Sequence, residues 1–169
     1  IDNEIANKKK GKVARIQLKL NNVTNNAIIS KLYEASRAGV QIDMIVRGVC
    51  CLIPGVAGMS ENIRVISIVD KFLEHPRVYI FENNRSPKMY ISSADWMTRN
   101  IDNRIEVACP ILDEYLQKEL LDTFMISWND NVKARLVNTT NKNSFVLQKG
   151  EAIRSQWATY DYFSAKLTE

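Results

Sequence analysis

The opening part of the chain alternates between extended and helical sequence patterns, and this order strongly limits the folds available to it. Residues 12–20 alternate polar and apolar side chains, as a half-buried strand does. Thr24 is a candidate N-cap for a helix whose apolar residues keep helical spacing, and Gly39 supplies its C-terminal stop. A β-branched, apolar run at 41–46 follows at once. Strand, helix and strand with short connections predict an α/β fold with a partly parallel sheet.

The later patterns extend this prediction over a single domain, residues 1–169, with no internal repeat. Residues 48–59 contain one proline and three glycines and predict a loop. From 63 to 73 the apolar residues cover more than one face, which predicts a buried helix capped by Ser60. The other predicted elements are strands at 78–81, 88–91 and 104–108, a helix at 113–128, an extended segment at 132–137, a polar connection at 138–150 and a helix at 151–167.

The composition of the chain limits the partners and the cellular compartment that we expect for it. The net charge of +4 and the pI near 9.0 mildly favour an anionic partner but exclude a polycationic arm, and we expect no nucleic-acid partner. Cys50, Cys51 and Cys109 form no disulfide framework or zinc site, so we predict small buried side chains in a reducing compartment. We expect no transmembrane segment and a cytoplasmic location, with peripheral contact at the inner membrane left open. The chain begins without methionine and reads as a fragment of a larger protein.

His75, the single histidine, stands in EHPRVYIFE (74–82), and SSADWMTRN (92–100) follows shortly after. A histidine followed by a cation, a carboxylate and a small-polar turn is typical of phosphate handling. Imidazole can bind, attack or protonate a phosphoryl group while the cation fixes its oxygens. The same histidine equally fits a C-terminal cap on a helix dipole. The spacing alone leaves both interpretations open.

A longer set of motifs resembles the C-terminal part of bacterial polyphosphate kinases. It comprises VRGVCCLIPG (46–55), SENIRVISIV (60–69), the His75 segment, SSADWMTRN, NRIEV (103–107), VKAR (132–135) and QWATYDY (156–162). The match covers nearly the whole chain from about residue 41 onward, and a run such as SSADWMTR is very specific. The resemblance implies a phospholipase D-like half, with a mixed β-sheet flanked by helices.

Four residues are candidates for the site. Arg47 follows the strand at 41–46, where ligands of α/β sheets gather, although without the resemblance an arginine paired with a surface carboxylate is the favoured interpretation. The resemblance matches Arg47 to the family's arginine on nucleotide phosphates, His75 to a histidine of the same site, and Arg104 to a further phosphate ligand. Glu106 shares a face with Arg104 if 104–108 is a strand, and it would orient that arginine or a substrate group.

The His75 segment also resembles the signature of the phospholipase D superfamily, which is histidine, any residue, lysine, four residues and aspartate. Here Arg77 replaces the lysine and Glu82 the aspartate, and residues 92–95 stand near the position of the superfamily's glycine-serine turn. These departures imply that this half binds phosphate without carrying the covalent intermediate. The family forms its phosphohistidine in the preceding half.

The resemblance implies reversible transfer of the terminal phosphate of ATP to inorganic polyphosphate through that phosphohistidine. His75 would assist as ligand or acid. The implied partners are ATP or ADP, polyphosphate, the preceding half of the same chain and further copies in a homo-oligomer. Mg²⁺ is the implied cofactor, with its ligands outside this segment, so we expect no metal ligand here. The isolated segment is expected to be inactive.

Two other functions fit the same residues. A non-catalytic polyanion-binding or assembly module would bind any polyanion weakly and with strong salt dependence. A phospholipase D-like phosphodiesterase would act as a homodimer with two copies of His75. Stacking on a nucleobase is not expected from Trp157, Tyr160 and Phe163, because their helical spacing predicts core positions.

Overall fold

Residues 1–140, 142–147 and 150–167 are described by a computed structural model, and their strands confirm the predicted α/β class with a mixed sheet. The strands are β1 (Arg15–Leu20), β2 (Gln41–Val46), β3 (Ile63–Ser67), β4 (Val78–Phe81), β5 (Lys88–Ser92), β6 (Ala108–Ile111) and β7 (Arg135–Val137). The helices are α1 (Asp2–Lys9), α2 (Asn26–Arg37), α3 (Thr98–Asn103), α4 (Glu114–Trp128) and α5 (Ser155–Lys166). Residues 141, 148 and 149 of the predicted polar connection lie outside the described residues.

The strands pair in the order β6-β5-β4-β1-β2-β3-β7. β1, β2 and β3 are parallel, so Leu20 lies beside Val46 and all three strands end at one edge of the sheet. β4 is antiparallel to β1 and begins at that same edge, because Val78 pairs with Lys19. β5 ends there and β6 begins there. We call this edge, where the parallel strands end, the carboxyl edge.

Helices cover both faces of the sheet. On one face Ile29 and Leu32 of α2 pack with alternate residues of β1, such as Ile16 and Leu18, in the larger core cluster. On the other face Phe124 of α4 packs in a second cluster with apolar residues of β2, β3, β4 and β5. The central strands are therefore buried on both sides, as parallel strands of α/β proteins are.

The β1–α2–β2 unit follows the predicted order closely. The predicted cap is one residue off, because Asn25 rather than Thr24 accepts a side-chain hydrogen bond from the Ile28 amide at 3.0 Å. Gly39 follows the end of α2 with φ of +88°, a conformation that costs glycine little. Asp113 caps α4 by accepting from the Leu116 amide, which confirms the predicted start of that helix.

The predicted helix at 63–73 is wrong. Residues Ile63–Ser67 form strand β3 and residues 68–77 have no regular secondary structure. Apolar residues cover more than one face because β3 is a central strand with neighbours on both sides, and periodicity cannot distinguish such a strand from a buried helix. Ser60 caps no helix, since its hydroxyl donates to the Ile53 carbonyl oxygen at 2.6 Å. His75 consequently ends no helix, which excludes the helix-cap interpretation.

Two more boundaries are shifted. The predicted strand at 104–108 is wrong, because the unpredicted helix α3 ends at Asn103 and the strand β6 begins only at Ala108. Arg104 and Glu106 therefore do not share a strand face. The terminal helix begins at Ser155 instead of 151, because Arg154 still has extended dihedral angles.

The expected burial of the cysteines is wrong. Cys50 is half-buried, while Cys51 lies in an exposed loop and Cys109 on the exposed strand β6. The expected core positions on the terminal helix are also wrong, since Trp157, Tyr160 and Phe163 are 39%, 65% and 39% exposed. Their helix packs chiefly on α4, which leaves much of its apolar surface uncovered by the described residues.

A buried carboxylate ties α5 to the rest of the fold, and this predicts acid sensitivity. Asp130 accepts hydrogen bonds from the backbone amides of Val132, Lys133, Ala134 and Ser155. Burial would raise the pKa of Asp130, but these hydrogen bonds outweigh it and hold the pKa below its usual range. We expect Asp130→Asn to lose about 1–3 kcal/mol of unfolding free energy at pH 7.

A group with a lowered folded-state pKa stabilises fully above its unfolded pKa of about 3.9 and stops doing so as the pH falls through the folded value. The difference between wild type and Asp130→Asn should therefore be full at pH 7 and shrink below about pH 4. Urea unfolding at several pH values measures it, with Asp161→Asn on the exposed face of α5 as control. A difference that stays constant down to pH 3 would contradict this assignment.

Candidate functional site

Arg47 directly follows β2 at the carboxyl edge. Its amide donates to the Leu20 carbonyl oxygen at 3.2 Å, which extends the strand pairing by one residue. Its Nε donates to Oδ1 of Asn21 at 3.0 Å. In the described part of the chain no carboxylate lies within ion-pairing distance of Arg47, so the surface ion pair considered for it does not form there. The guanidinium is oriented by a neutral amide and keeps its charge free for an anion.

Asp95 organises the backbone beneath Arg47. Its Oδ1 accepts from the amides of Asn21 at 2.8 Å and Asn22 at 3.2 Å, and its Oδ2 accepts from Nδ2 of Asn22 at 3.0 Å. Arg77 pairs with the same carboxylate, with Nε 3.3 Å from Oδ1. Burial would raise the pKa of Asp95, but Arg77 and these donors together lower it. Asp95 thus links β1, the start of β4 and, through Asn21, the Arg47 side chain.

The turn that carries Asp95 is itself held on several sides. Tyr79 on β4 donates its hydroxyl to the Ala94 carbonyl oxygen at 2.5 Å, and burial raises the pKa of that hydroxyl. The Ser93 amide donates to the Val107 carbonyl oxygen at 2.9 Å. Sequence reasoning noticed this turn as a motif but assigned no role to Asp95 or Asn21. The signal was present, because an acidic residue and an asparagine pair stand just after strand ends.

His75 lies in the irregular segment 68–77 that leads into β4, and its side chain is exposed. Its carbonyl oxygen accepts from Nη1 of Arg77 at 3.1 Å, so the backbone is fixed from one side. None of the described residues forms a hydrogen bond with its imidazole. A solvent-facing imidazole on a held backbone can bind or protonate an anion without first breaking an internal contact.

The segment 104–106 contacts the carboxyl edge of the sheet through Glu106. One oxygen of Glu106 accepts from the Ser93 hydroxyl and the other from the Asn100 side-chain amide. These hydrogen bonds lower the pKa of Glu106, and the charges of Arg104 and Arg77 lower it further. Arg104 is exposed and has no carboxylate within ion-pairing distance in the described ranges. Glu106 therefore orients Ser93 and Asn100 by direct contact, not Arg104.

The predicted site residues lie at the carboxyl edge, but Glu82 of the phospholipase D signature does not. Arg47 lines a cavity of about 10 Å³ together with Glu74 and Pro76, the neighbours of His75 on both sides. The Glu106 segment joins through Ser93, which precedes Asp95 by two residues. Glu82, which replaces the aspartate of the phospholipase D signature, follows the other end of β4, where its amide donates to the Arg15 carbonyl oxygen. It lies away from the carboxyl edge.

The acidic side chains at the carboxyl edge do not offer a magnesium site. Asp70 pairs with Arg154 at 2.7 Å, Glu74 with Lys19 at 2.6 Å and Asp95 with Arg77 at 3.3 Å. Within the described residues no group of three or more histidine, cysteine or acidic side chains is arranged to hold a metal ion. These carboxylates do not fit Mg²⁺, whose preferred ligands are free oxygens in octahedral geometry.

Comparison with solved structures defines the class of fold first. Nuc from Salmonella typhimurium, a phospholipase D family member, superposes with a TM-score of 0.58 at 16% identity, over 80% of this chain and 89% of that chain. NucT from Helicobacter pylori superposes with a TM-score of 0.53 at 11% identity, over 73% and 84% of the two chains. The chain has a phospholipase D-like fold, as the family resemblance implied.

A narrower family follows from sequence. Residues 1–156 match the family model described as polyphosphate kinase C-terminal domain 2, and the chain belongs to that family. A polyphosphate kinase of Vibrio parahaemolyticus is 56% identical over 163 residues, which are 96% of this chain and 23% of that protein. That of Escherichia coli K12 is 50% identical over 166 residues, 98% and 24% of the two chains. The polyphosphate kinase structure from Porphyromonas gingivalis superposes with a TM-score of 0.95 at 44% identity, over 98% and 26% of the two chains.

The chain thus spans about a quarter of the length of these relatives. No described helix is both long enough and apolar enough to cross a membrane.

Proposed function

We propose that this domain supplies phosphate-binding residues to a polyphosphate kinase that reversibly moves the terminal phosphate of ATP to inorganic polyphosphate. The observation that carries the proposal is the gathering of Arg47, His75 and the Arg104–Glu106 segment at one sheet edge. Arg47 and Arg104 have no carboxylate partner in the described ranges. Family membership supplies the substrate class, since the relatives at 50–56% identity are named polyphosphate kinases.

Phosphoryl transfer depends mostly on positioning and on stabilising the charge of the transferred group. Arg47 and Arg104 would bind phosphate oxygens, with Arg47 held in orientation by Asn21. Exposed His75 would bind or protonate a transferring or leaving phosphate, while the phosphohistidine forms in the preceding half of the complete enzyme. Arg77 stays paired with Asp95 and serves the backbone of this site instead of the substrate.

The remaining partners are proposed on the resemblance. Mg²⁺ would take its ligands from outside this domain, because the carboxylates described at the carboxyl edge are already engaged. The complete enzyme would be a homo-oligomer. A cytoplasmic location is proposed from the unpaired cysteines, which are typical of a reducing compartment.

Calorimetric titration of the 169-residue chain with inorganic polyphosphate and with ATP tests the phosphate site. We expect Arg47→Ala to weaken binding by roughly ten- to a hundredfold, the value of a lost hydrogen bond to a charged group. Arg37→Ala is the matched control, because exposed Arg37 ends α2, next to the opposite edge of the sheet where β2 begins.

Equal weakening in both variants, with strong salt dependence, would contradict a built phosphate site and favour the non-catalytic polyanion module. An absence of binding by the folded wild-type chain would contradict self-sufficient phosphate binding at this edge. Cleavage of a phosphodiester by the chain would instead favour the phosphodiesterase hypothesis.

A further inference from the structure

The segment that carries His75 has no secondary structure to hold it. Residues 68–77 connect β3 to β4 without forming a helix or a strand, and within the described chain only Arg77 at the end of the segment accepts a backbone hydrogen bond from a neighbouring strand, from the Ser92 amide at 2.9 Å. Several of their side chains are strongly exposed, including Phe72 at 52% and Leu73 at 71%. Because a free loop of this length would sample many conformations, the position of His75 depends on the side chains that bind the segment from outside.

Gln156, near the start of α5, makes three of those contacts. Its Oε1 accepts from the Phe72 amide at 2.9 Å and its Nε2 donates to the Phe72 carbonyl oxygen at 2.8 Å. One side-chain amide therefore binds both backbone groups of one residue, as a neighbouring strand would. The same Nε2 also donates to Oε1 of Glu74, the residue directly before His75, at 2.9 Å.

Neighbouring contacts strengthen this attachment. Arg154 binds Asp70 through two hydrogen bonds of 2.8 and 2.7 Å, and it lowers the pKa of that carboxyl. Trp157 packs edge-on against Phe72 with ring centroids 5.9 Å apart. From the other side, Lys19 of β1 binds the second oxygen of Glu74 at 2.6 Å. The segment is thus bound before His75 by α5 and β1, and after His75 by Asp95, which pairs with Arg77.

We propose that Gln156 is a positioning residue for His75, through which the C-terminal helix α5 sets the conformation of the segment 68–77. Gln156 would act through the backbone of Phe72 and the side chain of Glu74. Only an amide can accept from one backbone group while donating to another and to Glu74, so glutamate at this position would lose two donated bonds and repel Glu74. The structural part of this proposal stands independently, and its effect on catalysis rests on the function proposed above.

Gln156→Glu, Gln156→Ala and the control Gln41→Glu test the proposal. Gln41 begins β2 at the opposite edge, where its side-chain Nε2 donates to Oδ1 of Asn62 at 2.8 Å. On the 169-residue chain, the single histidine yields one set of imidazole NMR signals, which reports on His75 alone. We expect both Gln156 variants to shift or broaden these signals and to speed trypsin cleavage after Lys71 several-fold, with far-UV circular dichroism unchanged.

In the complete enzyme we expect both variants to lower kcat roughly ten- to a hundredfold, the scale of a misplaced catalytic group, with little change in KM for polyphosphate.

Unchanged imidazole signals and unchanged cleavage would overturn the proposal. So would an effect of Gln156→Glu without one of Gln156→Ala, because added charge would then be the cause. Wild-type turnover in both variants, alongside inactive His75→Ala, would overturn positioning but leave the proposed function standing. Wild-type turnover of His75→Ala would overturn the proposed function, and the NMR result would still decide the role of Gln156.

Discussion

Replacing His75 with alanine in a complete polyphosphate kinase that contains this domain is expected to lower polyphosphate synthesis by roughly 10²- to 10⁴-fold, the usual contribution of a general acid or base. The physical reason is that the imidazole is exposed at the carboxyl edge. Its neighbours in the chain, Glu74 and Pro76, line the same small cavity as Arg47. Folding should be unaffected, because the imidazole makes no hydrogen bond with the described residues. Steady-state synthesis and thermal unfolding measure the two effects separately.

Leu73→Ala is the matched control for that experiment. Leu73 lies in the same irregular segment and is 71% exposed, so its removal tests the segment without touching the imidazole. Synthesis near the wild-type rate is expected for Leu73→Ala. Wild-type turnover of His75→Ala would exclude His75 from the reaction.

Asp95→Ala is expected to be the most destabilising change at the site. The substitution leaves the Arg77 guanidinium, whose side chain is 20% exposed, without its carboxylate, and it removes the acceptor of the Asn21 and Asn22 amides. Breaking a buried pair by removing one partner costs about 3–5 kcal/mol. Urea unfolding of the chain at pH 7 measures this loss.

Two further variants serve as controls for Asp95→Ala. Asp95→Asn keeps the size and one acceptor oxygen, so it should lose less than Asp95→Ala. Asp102→Ala removes an exposed carboxylate on the nearby helix α3 and should stay within about 0.5 kcal/mol of wild type. Equal stability of Asp95→Ala and wild type would show that this carboxylate does not organise the edge.

Sequence reasoning succeeded where a pattern is local. The β1–α2–β2 unit was predicted because alternation, helical spacing and a glycine stop each lie within a few residues of one another. The position of Arg47 at a strand end followed directly, since it is the next residue after β2. The same reasoning failed at 63–73, where burial on both faces removes the difference between a strand and a helix.

The spacing of apolar residues also failed to predict which side chains of the terminal helix are exposed. Trp157, Tyr160 and Phe163 keep helical spacing, yet α5 packs chiefly on α4 and leaves them at the surface. Spacing tells which side chains share a face, but only the arrangement of elements tells whether another element covers that face.

The amino-acid sequence was sufficient for the fold class, the family resemblance and the identity of Arg47, His75, Arg104 and Glu106 as candidates, because these depend on local periodicity and contiguous motifs. Only the tertiary structure decided which residues hold them. Asn21 orients Arg47, Asp95 joins β1 to β4, and Gln156 binds the segment before His75. These contacts join residues far apart in the chain through irregular loops, and their geometry exists only once the strand order brings the ends of the strands to one edge.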